Sequence, residues 1–170
     1  VDAEDWALAL GGNGEGFGRV FDRHKDRIRR HAHGLVPVVA DAEDVVAVTF
    51  LEAWRNRARV RLVNESVLPW LLVTATNVAS NVRRSTRRYS QVLERLPDAS
   101  AIFVDDSDLA ATRALANLSL DDRHVVTLCV IYDYTDAEAA MVLGIPVGTL
   151  KSRLSRAKAR LTTEFNLRSA

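Results

Sequence analysis

Thr135-Asp136-Ala137-Glu138-Ala139-Ala140-Met141-Val142-Leu143-Gly144-Ile145-Pro146-Val147-Gly148-Thr149-Leu150-Lys151-Ser152-Arg153-Leu154-Ser155-Arg156-Ala157-Lys158-Ala159-Arg160-Leu161 carries the densest structural information in the chain. Thr135 and Glu138 have the spacing of a capping box, so a short helix starts at Asp136. Gly144 after Leu143 stops it, and Pro146 opens a second helix from a first-turn position. Small Ala140 lets two helices approach and Gly144 permits the tight turn, which is the spacing of a helix-turn-helix. At about 100° per residue, Leu154, Ala157 and Leu161 fall close to Leu150 and make one apolar stripe. The opposite face is then Gly148, Lys151, Ser152, Ser155 and Arg156, flanked by Arg153, Lys158 and Arg160, with no acid between Pro146 and Thr163. Arg, Lys and Ser are side chains suited to base edges in a major groove, while Thr149 and the flanking bases suit phosphates.

Outward from this unit the chain reads as helical nearly throughout. A helix spans roughly Asp121 to Tyr132, and the period before it, in Leu109, Leu115 and Leu118, predicts another from Asp108. Residues 89–107, with Pro97, Asp98, Ser100, Asp105, Asp106 and Ser107, have the composition of a linker. The N-terminal part predicts three helices able to share one core. The first runs from Gly16 to Leu35 on Phe17, Val20, Phe21, Ile28 and Leu35; the second starts at Asp41 and reaches Trp54; the third starts at Pro69 and reaches Arg88. Gly11 to Gly16 reads as a loop between helices, since it follows no strand and lacks the ending of a phosphate loop.

The 170 residues carry a formal net charge of +1, which hides strong blocks. Residues 1–54 hold six basic and ten acidic side chains, 55–95 nine and two, 96–138 two and nine, and 139–170 six and one. Two basic blocks separated by an acidic one predict two surfaces for a polyanion. The single cysteine, Cys129, excludes a disulfide framework and sits in an apolar run where burial is expected. His24, His31, His33 and His124 lack metal-ligand spacing and any nucleophile or carboxylate constellation, so they read as core or surface histidines and the chain as a non-enzyme with no catalytic residue, metal or cofactor. With no apolar run of membrane-spanning length and an acidic N-terminus, a cytoplasmic protein without membrane insertion is expected.

The C-terminal stretch, from Leu115-x-x-Leu118-Ser119-Leu120-x-x-Arg123 through Leu161, closely resembles region 4 of bacterial sigma factors of the extracytoplasmic-function (ECF) group. Asp41-Ala42-Glu43-Asp44-Val45-Val46-Ala47-Val48-Thr49-Phe50-Leu51-Glu52-Ala53-Trp54 resembles the region 2 helix that docks on the polymerase clamp. Pro69-Trp70-Leu71-Leu72-Val73-Thr74-Ala75-Thr76-Asn77 with Arg83-Arg84 resembles the helix that reads the minus-10 element. The two motif sets stand in family order and cover most of the chain.

The resemblance implies an all-α fold of two small helical domains. These are a region 2 bundle over residues 1–88 and a region 4 helix-turn-helix over 108–170, joined by a flexible acidic linker at 89–107. It implies a monomeric initiation factor that binds core RNA polymerase at the clamp helices and flap, and promoter DNA at two elements. Region 4 would meet the minus-35 duplex with Lys151, Ser152, Ser155 and Arg156 toward bases and Thr149, Arg153 and Lys158 toward phosphates. Region 2 would hold the melted minus-10 strand with Arg59, Arg61, Leu72, Thr74 and Asn77, backed by Arg83, Arg84, Arg87 and Arg88 on the phosphates. Asn77 stands out because its amide both donates and accepts. Trp54 and Trp70 are expected in the core. Polymerase contacts would come from Asp44, Val45, Ala47, Val48, Phe50, Leu51 and Glu52. The family usually has Gln-Glu where this chain has Ala47-Val48, Arg at Thr76, Asp at Asn81 and Ile at Ala139. An anti-sigma factor is the expected regulator, since a free sigma would compete constantly for core. The alternative is a sigma-like DNA-binding regulator, or a decoy that sequesters an anti-sigma factor without initiating transcription.

Overall fold

The computed structural model describes residues 1–93 and 114–169. The expected acidic stretch Asp98–Asp108 and the start of the helix expected from Asp108 lie outside them. The described elements are helices α1 (Asp2–Leu10), α2 (Gly14–His33), α3 (Val39–Arg55), α4 (Leu68–Leu93), α5 (Leu120–Val126), α6 (Asp136–Leu143) and α7 (Val147–Ser169). A 3-10 turn, Arg57–Arg59, follows α3, and a π-turn, Thr127–Ile131, continues α5. The described residues contain no strand, only one isolated bridge between Val63 and Ser66. The helix expected from Pro69 to Arg88 is longer: α4 runs from Leu68 to Leu93.

The first hydrophobic cluster joins α1 to α4 through Trp6, Val20, Ile28, Val45, Phe50 and Leu71. Phe17 lies edge-on to Trp54 with centroids 5.2 Å apart, and Phe21 edge-on to Phe50 at 4.7 Å. Helix α1 has no counterpart among the three N-terminal helices named from periodicity. It is held by buried charge. Asp2 is 5% exposed and accepts from Arg23, His24 Nε2 (2.7 Å), Ser66 Oγ (2.8 Å) and the Val67 N–H (3.0 Å). Burial alone would raise the Asp2 carboxyl, but the hydrogen bonds from Ser66, Val67 and His24 outweigh it and hold the pKa below its ordinary value. Gly16 is required for this crossing, because a Cβ there would lie 2.7 Å from the Asp5 carbonyl oxygen and 2.7 Å from Leu8 Cβ.

The second cluster packs α5, α6 and α7 through Leu118, Val125, Leu128, Ala139, Ala140, Leu150 and Ala157, with Leu154 and Leu161 at its edge. The apolar stripe expected on α7 therefore faces inward. Thr135 and Glu138 form the expected capping box, and Gly144 takes the left-handed turn conformation (φ 64°) that an L side chain adopts only at a cost. Arg153 pairs with Asp121 and Arg160 with buried Asp122, both at 3.3 Å, which pins α7 to the start of α5. Cys129 is half-buried on this cluster, and burial raises its thiol pKa. It is an inert packing residue, less covered than the sequence predicts.

The two clusters meet. Val73 from α4 packs on the second, while Tyr132 packs on the first, and Leu115 and Tyr134 touch both. His31 on α2 lies edge-on to Tyr132, with centroids 5.6 Å apart. Asn64, in the loop before α4, donates to Glu138 of the capping box. His124 Nε2 lies 2.8 Å from Asn77 Oδ1.

Candidate nucleic-acid and polymerase interfaces

On α7 the packing of Leu150 and Ala157 turns the other face outward. Lys151, Ser152, Ser155, Arg156 and Lys158 are exposed, and Thr149 is half-buried. Ser152 Oγ donates to the Gly148 carbonyl at 3.1 Å, a back-bond that leaves its lone pairs toward solvent. Arg153, expected among the phosphate-facing residues, is instead half-buried and paired with Asp121. Its geometry serves the packing of α7 on α5.

On α4 the expected single-strand readers divide. Thr74 and Asn77 are half-buried, and Leu72 is 0% exposed. Leu72 is therefore corrected from reader to core: it lies on the inner face of α4 beside Leu71 and Ala75. Arg59, Arg61, Arg84, Arg87 and Arg88 are exposed and Arg83 is half-buried. Trp70 is half-buried against the first cluster, as expected of a core residue. Trp54 is half-buried too, with the Arg57 guanidinium 4.3 Å from its ring centroid. Thr76 is fully buried; its hydroxyl donates to the Leu72 carbonyl at 2.8 Å and meets His31 Nε2 at 3.0 Å. Burial drives the His31 pKa down to about 4.

Asn77 is the residue whose setting the sequence did not disclose. Its carbonyl oxygen is the partner of His124, which is 9% exposed and whose pKa burial lowers to about 4. At neutral pH the ring is uncharged, and the contact to Oδ1 assigns the proton to Nε2, so His124 donates. In this arrangement the amide best suited to read a base is already engaged by the C-terminal unit.

On α3 the expected polymerase face also divides. Val45 (0% exposed) and Phe50 (3%) are corrected: both point into the first cluster, since they share the inward side of α3 with Ala42, Val46 and Ala53. Asp44, Ala47, Val48 and Leu51 are exposed, Val48 at 39% and Leu51 at 46%. Glu52 is half-buried and accepts from Asn56 Nδ2 at 2.8 Å. The outward stripe at positions 44, 47, 48 and 51 has helical spacing and is apolar in its centre.

Residues 20–89 match the family described as Sigma-70 region 2, and residues 108–161 match Sigma-70, region 4. The chain is 31% identical over 162 residues to the ECF RNA polymerase sigma factor SigM of Mycobacterium tuberculosis, covering 94% of this chain and 82% of that protein. It is 33% identical over 144 residues to SigL of the same species, covering 79% and 80%. Among solved structures it is similar to CnrH in complex with the cytosolic domain of CnrY, with a TM-score of 0.67, 26% identity and coverage of 98% and 97%. It is also similar to the sigma factor RpoE in complex with the anti-sigma factor NepR from Bartonella quintana, with a TM-score of 0.61, 26% identity and coverage of 88% and 96%.

Proposed function

The chain belongs to the extracytoplasmic-function group of RNA polymerase sigma factors, and from that premise we propose how its own residues bind core polymerase and direct it to promoters. Two functional units divide the work, one ending with α4 and one beginning before α5. The outward face of α7 enters the minus-35 major groove: Lys151, Ser152, Ser155 and Arg156 meet base edges, and Thr149 and Lys158 meet phosphates. The basic half of α4, with Arg84, Arg87 and Arg88, tracks the backbone of the melted minus-10 strand, along with Arg59 and Arg61 from the turn after α3. Thr74 and Asn77 face the extruded base, whose unstacking costs ~a few kcal/mol that pocket contacts must return. The polymerase clamp docks on Asp44, Ala47, Val48 and Leu51, so apolar contact takes the place of the polar pair common in the family.

One observation carries this reading. Burial of Leu150 and Ala157 leaves an acid-free basic face on the second helix of a capped helix-turn-helix, in a chain whose α3 and α4 supply the rest of a sigma factor. The same chemistry makes the chain a target for an anti-sigma partner, which would cover the clamp-facing stripe of α3 or hold the two units together. No described helix is long and apolar enough to cross a membrane, and the chain acts as a DNA-binding transcription regulator where polymerase is.

The test is transcription in vitro with purified core polymerase and promoter templates. The expected result is a mobility shift of core and start-site-specific transcripts. DNA binding without a core shift would instead assign the chain to the class of regulators that share only the helix-turn-helix.

A further inference from the structure

Among the described residues, five arginines without an acid partner converge between the two units. A recess of about 290 Å³ is lined by Ser80, Arg83, Arg84, Arg87 and Arg88 of α4, by Ala116, and by Arg123 of α5. Its described lining contains no carboxylate, and among the described residues none of these five arginines forms a salt bridge. Arg19, Arg23, Arg29, Arg55, Arg153 and Arg160 are each paired with an acid, while Arg27, Arg30, Arg57, Arg59, Arg61 and Arg156 stand singly without a described acid, so what sets the recess apart is the convergence of five arginines. The Nε of Arg123 is buried and has no hydrogen-bond partner among the described residues. A buried donor left unmade is costly, and more so when charged. Among the described residues Arg83 makes one long hydrogen bond, 3.5 Å to the Leu35 carbonyl. Burial, and then the charges of Arg87 and Arg123, pull the Arg83 guanidinium below its ordinary pKa, while burial does the same to Arg123. Five guanidinium groups around one recess with no carboxylate in its described lining suit an anion with several acceptor oxygens, and guanidinium forks match phosphate in two-point geometry. The volume is at the small end of the ~300–1,000 Å³ usual for small-molecule sites, which fits a compact ligand.

We propose that this recess is a phosphate site for a free oligophosphate, in the form of pyrophosphate or the polyphosphate moiety of a nucleotide. Because α4 and α5 both supply guanidinium groups, the bound anion also holds the two units against each other. Phosphate chemistry here has two sources, the free anion and the DNA backbone along α4, and Arg123 separates them because the minus-10 contacts proposed above do not use it.

The experiment titrates pyrophosphate into the full chain by calorimetry at constant ionic strength, beside orthophosphate, with a labelled single-stranded oligonucleotide as the second arm. The expected result is saturable binding of one pyrophosphate, at least tenfold tighter than orthophosphate. Arg123→Gln should lose tenfold or more of the pyrophosphate affinity and keep the oligonucleotide affinity, while Arg87→Gln should weaken both. If Arg123→Gln does not fold by circular dichroism, Arg87→Gln on the exposed side of α4 carries the pyrophosphate arm alone, and unchanged pyrophosphate affinity there overturns the site. Equal pyrophosphate binding by wild type and Arg123→Gln overturns the proposal, as does equal weakening of pyrophosphate and oligonucleotide by Arg123→Gln. Neither arm involves polymerase or a promoter, so failure here is separate from failure of the sigma-factor assignment.

Discussion

Replacing His124 with Phe should make the free chain a better single-strand binder. The imidazole sits 2.8 Å from Asn77 Oδ1, 9% exposed, and its depressed pKa keeps it neutral at physiological pH. Phe retains an apolar ring of similar breadth and removes the donor, so the change acts on the hydrogen bond more than on the packing. One net hydrogen bond contributes about 0.5–1.5 kcal/mol, and the Asn77 oxygen left buried without a donor adds an unmet-acceptor cost, for about 1–3 kcal/mol in all. Spent on the contact between α4 and α5, that amount raises the population of molecules with Asn77 free by about 5- to 150-fold where the closed arrangement dominates. Fluorescence anisotropy with a labelled minus-10 single strand should show affinity rising by up to that factor. Asn77→Ala, which also releases His124 but removes the base reader, should not gain. If His124→Phe folds with wild-type circular dichroism and binds the strand no better than wild type, the Asn77–His124 bond does not gate access and the reasoning fails.

Other outcomes follow from the same geometry. Leu51→Asp should abolish the core polymerase shift with little change in stability, because the side chain is 46% exposed and replaces apolar contact with a charge to be desolvated; wild-type core affinity in that variant would remove α3 from the interface. Gly16→Ala should lower the thermal midpoint, by an overpacking cost of about 1–3 kcal/mol, since the new methyl would meet backbone oxygen of α1 at 2.7 Å. Stability should be level above about pH 7 and fall on acidification: His31 and His124 titrate near 4 when folded and at the ordinary value near 6.5 when unfolded, so between those limits only the unfolded chain takes the protons. Each costs about 1.4 kcal/mol per pH unit, or about 4 kcal/mol for the pair at pH 5, and urea unfolding at pH 7.5 and 5.0 measures it; a His31→Gln, His124→Gln chain with the same pH slope would contradict the assignment. Lys158→Ala should weaken minus-35 duplex binding across sequences and reduce the salt slope by about 1, whereas Arg156→Ala should relax preference among bases; the same salt slope in Lys158→Ala would exclude a phosphate contact.

What the sequence could disclose follows the range of the interaction. The capping box, the Gly144 turn and the Leu150–Ala157 stripe are local, set by spacings of three, four and seven, and each appears in the structure where periodicity puts it. Helix α1 is different. It is nine residues long, and its attachment is a buried network of Asp2 and Asp5 with Arg19, Arg23, His24 and Ser66, partners up to 64 residues away in chain order. An acidic pattern in a first turn looks the same whether it faces water or an arginine. The misplacement of Val45, Phe50 and Leu72 has the same origin in reverse. A motif names a run of residues, but only about half of any helix can face a partner while the other half holds the core, and the phase is read more safely from packing than from likeness.

The contact between the two units was beyond reach for a sharper reason. Asn77 and His124 are 47 residues apart, each lies in a helix whose pattern is complete without the other, and neither adds to an apolar period. The net charge of +1 conceals the same relation. Arg83, Arg84 and Arg87 stand in one basic block and Arg123 in an acidic one, yet the fold gathers them around one recess. A block-wise count therefore locates the DNA-facing basic runs and misses the place where cations from different blocks converge. Like charges gathered there oppose the contact between the two units, and under the proposed phosphate site a bound anion would relieve them. The Asn77–His124 hydrogen bond and the shared packing of Val73, Leu115 and Tyr134 act in the opposite direction. Two opposed terms across one interface are what a modest ligand, strand or partner could tip.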